Sequence, residues 1–315
     1  MIVWISGAKG FIGQHLARYL VARGDTVLGL GHGLWPEASV ETGLAYWLNG
    51  EVSGSNLNSL RMARGLPDLV VHLAGGSSVG VAMANPREDF SRTVATTAEL
   101  LEWLRQEAPR TRLVAVSSAA VHGTGHAGRI AESAPTRPLS PYGYHKLMME
   151  QLCRSYASSY GLPCLVLRLF SVYGPGLRKQ LLWDLCQRLQ GKPASIELSG
   201  TGGELRDWTH VQDVLRAIEV TSGLASPEMP VFNVGSGRAT SVREVAQTVI
   251  AAFGEAGVRS ELSFNGQVRA GDPFSLVADP SRLQALGFEC HVSSQQGIAD
   301  YVHDFLAPAH VGRSG

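Results

Sequence analysis

The amino-acid sequence predicts an α/β fold: a doubly wound parallel sheet followed by a smaller C-terminal lobe. Three observations predict it. Short, nearly continuous apolar runs alternate with amphipathic helical patterns through about the first 172 residues, which is how parallel strands buried on both faces read. A turn rich in glycine joins the first apolar run to the first helical pattern. Beyond about residue 172 the alternation loosens, and Pro, Gly and Ser become more frequent.

The elements follow in order. Residues 2–5 form a first buried strand. In the next segment Phe11, Ile12, Leu16 and Leu20 recur at helical spacing, and Gly24 stands where a C-terminal cap belongs. Further strands are expected at residues 26–30, 69–73, 113–116 and 164–168, with helices between them, notably over 95–106 and 142–160. One more strand is expected at residues 231–234, just before Gly235-Ser-Gly237. The expected division is a sheet domain over 1–172, to which 210–236 returns, a lobe built from 173–209 and 237–307, and a loose tail over 308–315.

Composition excludes several classes of function. A chain of 315 residues with 44% apolar residues has the material for one large domain, or for a main domain with a second lobe. Lys+Arg and Asp+Glu balance at 27 each, so no charge footprint points to nucleic acid or to an anionic membrane. Cys153, Cys164, Cys186 and Cys290 are scattered and form no CxxC pair. They read as buried thiols, with no metal and no disulfide expected. The first residues look like a strand and not a leader, and no apolar run is long enough to span a bilayer. The expectation is a soluble cytoplasmic protein.

The turn Gly7-Ala-Lys-Gly10-Phe-Ile-Gly13 gives the sheet a Rossmann-type, dinucleotide-binding character. Gly7 permits a tight turn, Gly10 lets the backbone approach a pyrophosphate, and Gly13 lets the helix pack closely on the strand. The pyrophosphate meets the free N–H groups at the helix start, where Gly10, Phe11, Ile12 and Gly13 lie. At the end of the second strand an acidic residue ordinarily holds the adenosine ribose hydroxyls. Here that place reads Leu30-Gly31-His32. Gly31 leaves room for a phosphate that His32 could contact, so the cofactor reads as NAD(P) with a lean towards NADP(H). The alternative is a ribose held by backbone or water, with NAD bound.

Tyr142 and Lys146 are four residues apart, which puts them on one helix face. A phenol titrates near pH 10, and a neighbouring ammonium is expected to lower that value. Tyr142 can then exchange a proton with a substrate hydroxyl while a nicotinamide takes or gives hydride. Lys146 would also hold the nicotinamide ribose. Ser117 and Ser118 close a strand at its C-terminal end, where ligands of parallel sheets bind, and Ser117 reads as a cofactor contact. Ser118 is placed to hydrogen-bond the reacting oxygen. Tyr144 lies off the Lys146 face, and His122 and His145 read as structural.

These segments together resemble the extended short-chain dehydrogenase/reductase family, particularly its nucleotide-sugar epimerases and dehydratases. The resemblance covers nearly the whole chain. It rests on Gly7/Gly10/Gly13, residues 72–75, Ser117-Ser118, Tyr142/Lys146, residues 168–176 and 206–213, residues 232–237 and residues 269–272. It implies that Leu73, Ala74 and Gly75 line the cofactor. It also implies that Arg206 and Arg269 grip a nucleotide diphosphate, as bidentate guanidinium groups do, and that Lys179 and Gln180 lie near the substrate. Two departures carry information. Family dehydratases carry an Asp-Glu pair after the catalytic hydroxyl residue, where this chain has Ala119-Ala120, so dehydration is not expected. Many epimerases carry Asn where this chain has Ser171, in a segment facing the sugar.

The resulting expectation is hydride chemistry at the hexose C4 of a nucleotide sugar, foremost a UDP-hexose 4-epimerase. The alternative is an NADPH-dependent reductase of a nucleotide 4-keto-6-deoxy sugar. A third class, a dinucleotide-binding sensor without catalysis, fits the retained Tyr142–Lys146 pair less well. Apolar Leu147, Met148 and Leu152 on the Tyr142 helix are consistent with the homodimer that the family resemblance implies.

Overall fold

The computed structural model describes residues 1–35, 43–126, 128–267 and 273–307. Seven parallel strands form the main sheet. In chain order six of them are β1 (Ile2–Ser6), β2 (Thr26–Gly31), β3 (Tyr46–Asn49), β4 (Leu69–His72), β5 (Arg112–Ser118) and β6 (Cys164–Leu169). The seventh, Val231–Val234, pairs with β6, and the spatial order is Val231–Val234, β6, β5, β4, β1, β2, β3. The chain therefore winds outward from β1 in one direction, returns to place β4 on the other side of β1, and winds outward again. Between β1 and β4 the loops depart to opposite faces and open a crevice at the strands' C-terminal ends.

Side-chain alternation explains the layers. Val3, Ile5, Val27, Val71 and Val114 point to one face, where they meet the helices Phe11–Ala22 and Val211–Ser222. Trp4, Leu28, Val70, Leu113 and Val166 point to the other, against Gly54–Arg64, Thr96–Glu107 and Pro141–Tyr160. The expected strands at 2–5, 26–30, 69–73, 113–116 and 164–168 all form, with ends displaced by one or two residues. Within the main sheet only β3 had no signal in the sequence, because its pattern is half-buried at a sheet edge and short.

The helix Pro141–Tyr160 is bounded by local chemistry. Ser140 Oγ accepts from Gly143 N at 3.3 Å, Pro141 occupies the first turn, and Gly161 ends the helix at φ 69°. The lobe has its own core, in which Tyr173 and Leu177 meet the helices Gln180–Gln190, Val242–Glu255 and Ser294–Leu306. Buried Asp207 ties the lobe's strand Leu205–Arg206 to the end of the main sheet. Its carboxylate accepts from Ser236 N, Ser236 Oγ and Gly237 N at 2.8 Å and from Ala278 N at 3.2 Å. No helix among the described residues is long and apolar enough to cross a membrane.

Candidate active site

The glycine turn forms as its spacing predicts. Gly7 adopts φ 70°, and a Cβ there would lie 2.8 Å from Ala74 N. The β1 and β4 loops thus touch at the centre of the crevice only because Gly7 has no side chain. A Cβ on Gly13 would lie 2.5 Å from Gly7 O and 2.6 Å from Ala8 O, so this glycine sets the close approach of helix to turn. Gly10 caps the helix in ordinary extended backbone, and no side chain caps its first turn. The uncapped N–H groups at the helix start fit a pyrophosphate. Phe11 packs towards the lobe core and Ile12 towards the sheet core, leaving their main chain at the helix start.

The end of β2 differs from expectation. The room beside Gly31 is taken by Trp47, whose ring stands 3.2 Å from where a Cβ would lie. His32 is exposed. The cation that reaches this corner is Lys9, from within the glycine turn: its Nζ lies 2.5 Å from where a Cβ on Gly33 would be. Gly33 adopts φ 90° and donates its N–H to Asn49 Oδ1 at 2.9 Å. Neither Lys9 nor Asn49 was legible in the sequence, because the pairing of β1 and β3 with β2 is what brings them to Gly33.

Leu73, Ala74 and Gly75 follow β4 into the crevice. Ala74 N donates to Ser6 Oγ at 3.3 Å. A Cβ on Gly75 would lie 3.2 Å from both Lys146 Nζ and Thr93 Oγ1. Lys146 is buried at 4% exposure and donates to Val116 O at 3.0 Å. Burial pushes its ammonium down to about 8, against the upward pull of Asp89 and Glu150.

Ser118 ends β5, accepts from Ala120 N at 3.2 Å and is hydrogen-bonded to Tyr142. The Tyr142 phenol is raised above its ordinary value by burial. The Ser118 hydrogen bond opposes that rise and the Asp89 charge adds to it. The expected lowering by Lys146 is not what dominates here: that ammonium is turned onto the Val116 carbonyl, and desolvation of the phenolate wins. Ser117 also departs from expectation. Its Oγ donates to Glu150 Oε1 at 2.6 Å inside the core, so its side chain faces away from the crevice. Successive strand residues point to opposite faces, and only Ser118 is on the crevice side.

On the lobe side, Ser171 begins the short strand Ser171–Tyr173, which pairs with Trp208–His210. Lys179 is half-buried, its ammonium is lowered by burial, and its charge presses Lys146 downward. Gln180 is exposed and carries a left-handed φ of 65° at the start of its helix. That conformation is costly for a side chain with a Cβ and is typical of ligand-facing turns. Arg206 donates to Leu205 O at 2.9 Å and to Phe274 O at 3.2 Å. Arg269 lies outside the described residues. Asp207 is no surface partner for Arg206, since its carboxylate is buried and held by the four donors above.

Comparison with known proteins agrees with this geometry. The model of the "NAD dependent epimerase/dehydratase family" matches residues 3–235. A Bacillus subtilis protein named as an uncharacterized UDP-glucose epimerase is 30% identical over 316 aligned residues, covering 96% of this chain and 97% of that one. The solved structure of MoeE5 in complex with UDP-glucuronic acid and NAD superposes with a TM-score of 0.83 at 33% identity, covering 97% and 99% of the two chains. The Thermus thermophilus UDP-glucose 4-epimerase in complex with NAD gives a TM-score of 0.84 at 30% identity, covering 96% and 99%.

Proposed function

This chain belongs to the NAD-dependent epimerase/dehydratase family, and we propose that it is a UDP-hexose 4-epimerase. The observation that carries the reading is the meeting of Ser118, Tyr142 and Lys146 at the C-terminal end of β5, with Ala119-Ala120 where dehydration would need proton-transfer groups. Relatives and neighbours named as UDP-sugar 4-epimerases support it.

A bound nicotinamide dinucleotide supplies the acceptor and donor of hydride. Gly7, Gly10, Gly13 and the start of the first helix hold its pyrophosphate, and Leu73, Ala74 and Gly75 line it. Lys146 holds its nicotinamide ribose. Ser118 holds the sugar's O4 beside Tyr142, whose oxygen takes the hydroxyl proton as the C4 carbinol is oxidised. Tyr142 returns that proton when the 4-keto sugar, presented by its other face, is reduced again. Arg206 and Arg269 hold the diphosphate while the sugar turns, and Lys179, Gln180 and Ser171 face the sugar.

Incubation of the purified protein with UDP-glucose and no added cofactor tests this, with sugar stereochemistry as the readout. Formation of UDP-galactose without net cofactor change supports the reading. Consumption of NADPH with a 4-keto-6-deoxy sugar nucleotide, and no interconversion of UDP-hexoses, would replace it by the reductase. Lys9 beside Gly33 is the observation favouring that second reading, since a cation there suits the 2′-phosphate of NADP(H). Tyr144 and Met148, one turn apart, stay exposed on the helix Pro141–Tyr160, and we assign this face to a homodimer of a cytoplasmic enzyme. Light scattering that gives a monomer at micromolar concentration rejects the dimer.

A further inference from the structure

One buried polar pair beside the crevice has no part in the proton transfer above. Asp89 and His145 are 4% and 9% exposed, and His145 Nδ1 donates to Asp89 Oδ2 at 2.5 Å. Asp89 comes from the short helix Pro86–Phe90, and His145 precedes Lys146 on the catalytic helix. Phe90 stands edge-on to the imidazole at 5.5 Å. The carboxylate also fills the space beside Gly76, where a Cβ would lie 1.7 Å from Asp89 Oδ1. Gly76 N donates to Thr93 Oγ1 at 2.8 Å, and Gly75 sits between Thr93 and Lys146. The two glycines thus let the β4 loop pass between the pair and the catalytic lysine. Holding two helices together needs no charge, and burying a carboxylate costs several kcal/mol.

We propose that Asp89 is the counter-charge of the Tyr142–Lys146 pair, and that His145 is the residue that positions it. The Asp89 carboxylate accepts from the imidazole and keeps Oδ1 beside Gly76. Its charge favours the ammonium of Lys146 and opposes the phenolate of Tyr142. The groups facing these two are few. Asp89, Glu150, Lys179 and His72 act on or feel Lys146, while Ser118 and Asp89 act on Tyr142. Glu150 is neutralised by Arg168, and Glu88, on the Asp89 helix, pairs with Arg92 at the surface. Among the described residues Asp89 is the one acid that acts on both catalytic groups.

The proposal rests on the catalytic reading of Tyr142 and Lys146, so its test includes a readout that needs no turnover. NADH affinity of the full chain is measured by fluorescence from pH 6 to 10, beside the pH profile of UDP-hexose interconversion. In the wild type, affinity falls as pH rises through the Lys146 titration. Asp89→Asn is expected to move that fall acid-ward by about one pH unit, and to move both limbs of the turnover profile the same way. Asp89→Ala, which leaves no amide to bury, gives the same displacement should Asp89→Asn not fold. His145→Asn keeps an N–H donor near the place of Nδ1 and leaves the limbs where the wild type has them. Limbs that stay in place in both folded Asp89 variants overturn the proposal, as does a His145→Asn variant that moves them as far. A wild type that binds NADH yet interconverts no nucleotide sugar rejects the proposed reaction, while the affinity limb still decides the counter-charge.

Discussion

Two polar networks on the helix Pro141–Tyr160 differ in one respect: one is closed and the other open. In the closed network Glu150 accepts from Ser117 at 2.6 Å and from Arg168 at 3.0 and 2.8 Å, while Arg168 donates onward to Glu132 O at 3.0 Å. Every strong group there finds its partner inside the protein. In the open network Ser118 accepts from Ala120 N and neighbours Tyr142, Lys146 donates to Val116 O, and the group faces a crevice. Adjacent residues of β5, Ser117 and Ser118, feed the two networks from opposite faces of the strand. A fully satisfied buried network holds the structure together, whereas one with capacity left over is available for a substrate.

Substitutions can break this comparison, and the largest effect is expected on the open side. Tyr142→Phe removes the proton carrier and keeps the ring, so turnover should fall about 10³-fold while the melting temperature stays within a degree or two of wild type. A folded Tyr142→Phe enzyme with unchanged turnover would remove the phenol from the mechanism. On the closed side the effect moves to stability. Arg168→Met leaves Glu150 buried and unpaired, at a cost of about 3–5 kcal/mol in denaturant unfolding. The double variant Arg168→Met/Glu150→Gln should recover a large part of that loss. Equal stability of the single and double variants would mean that the charge of Glu150 is not the cause.

The neighbouring serines give the sharper, smaller test. Ser118→Ala should lower kcat by about 10- to 100-fold with little change in stability. Ser117→Ala should do the reverse, costing about 1–2 kcal/mol of stability for the lost buried hydrogen bond with turnover preserved. If both variants lose activity alike, the two faces of β5 are not functionally separate.

A pH-dependent effect of similar size concerns His72, which is fully buried between Ser6 and Thr97 and pushed down to about 3 by burial, with the Lys146 charge adding to it. An unfolded histidine titrates near pH 6.5. The unfolded chain therefore binds the extra proton between these values, so stability is whole above pH 6.5 and declines as pH falls below it. At pH 5 the loss from this group reaches roughly 2 kcal/mol. Thermal unfolding that is flat between pH 7 and 5 would contradict the buried neutral imidazole.

What the sequence made legible was local. The glycine turn and the Tyr142–Lys146 spacing encode their geometry within a few residues, and both formed as read. Misreadings arose where the partner is distant along the chain. The Asp89 partner of His145 was not legible, because Asp89 lies 56 positions away and bears no motif. Ser117 read as a cofactor contact because the acceptor that claims it, Glu150, lies on another element. The room at Gly31 read as space for a phosphate because nothing local announces Trp47 on the half-buried edge strand.

By itself the sequence determined the order of strands and helices, the place of the dinucleotide turn, and which tyrosine shares a helix face with a lysine. Hydrophobic periodicity and backbone sterics act over one or two turns and need no partner to be read. Only the tertiary structure decided the charge on those groups. Desolvation and the fields of Asp89, Glu150 and Lys179 depend on where distant segments pack. It likewise decided which serine faces the crevice and which cation, Lys9, stands at Gly33.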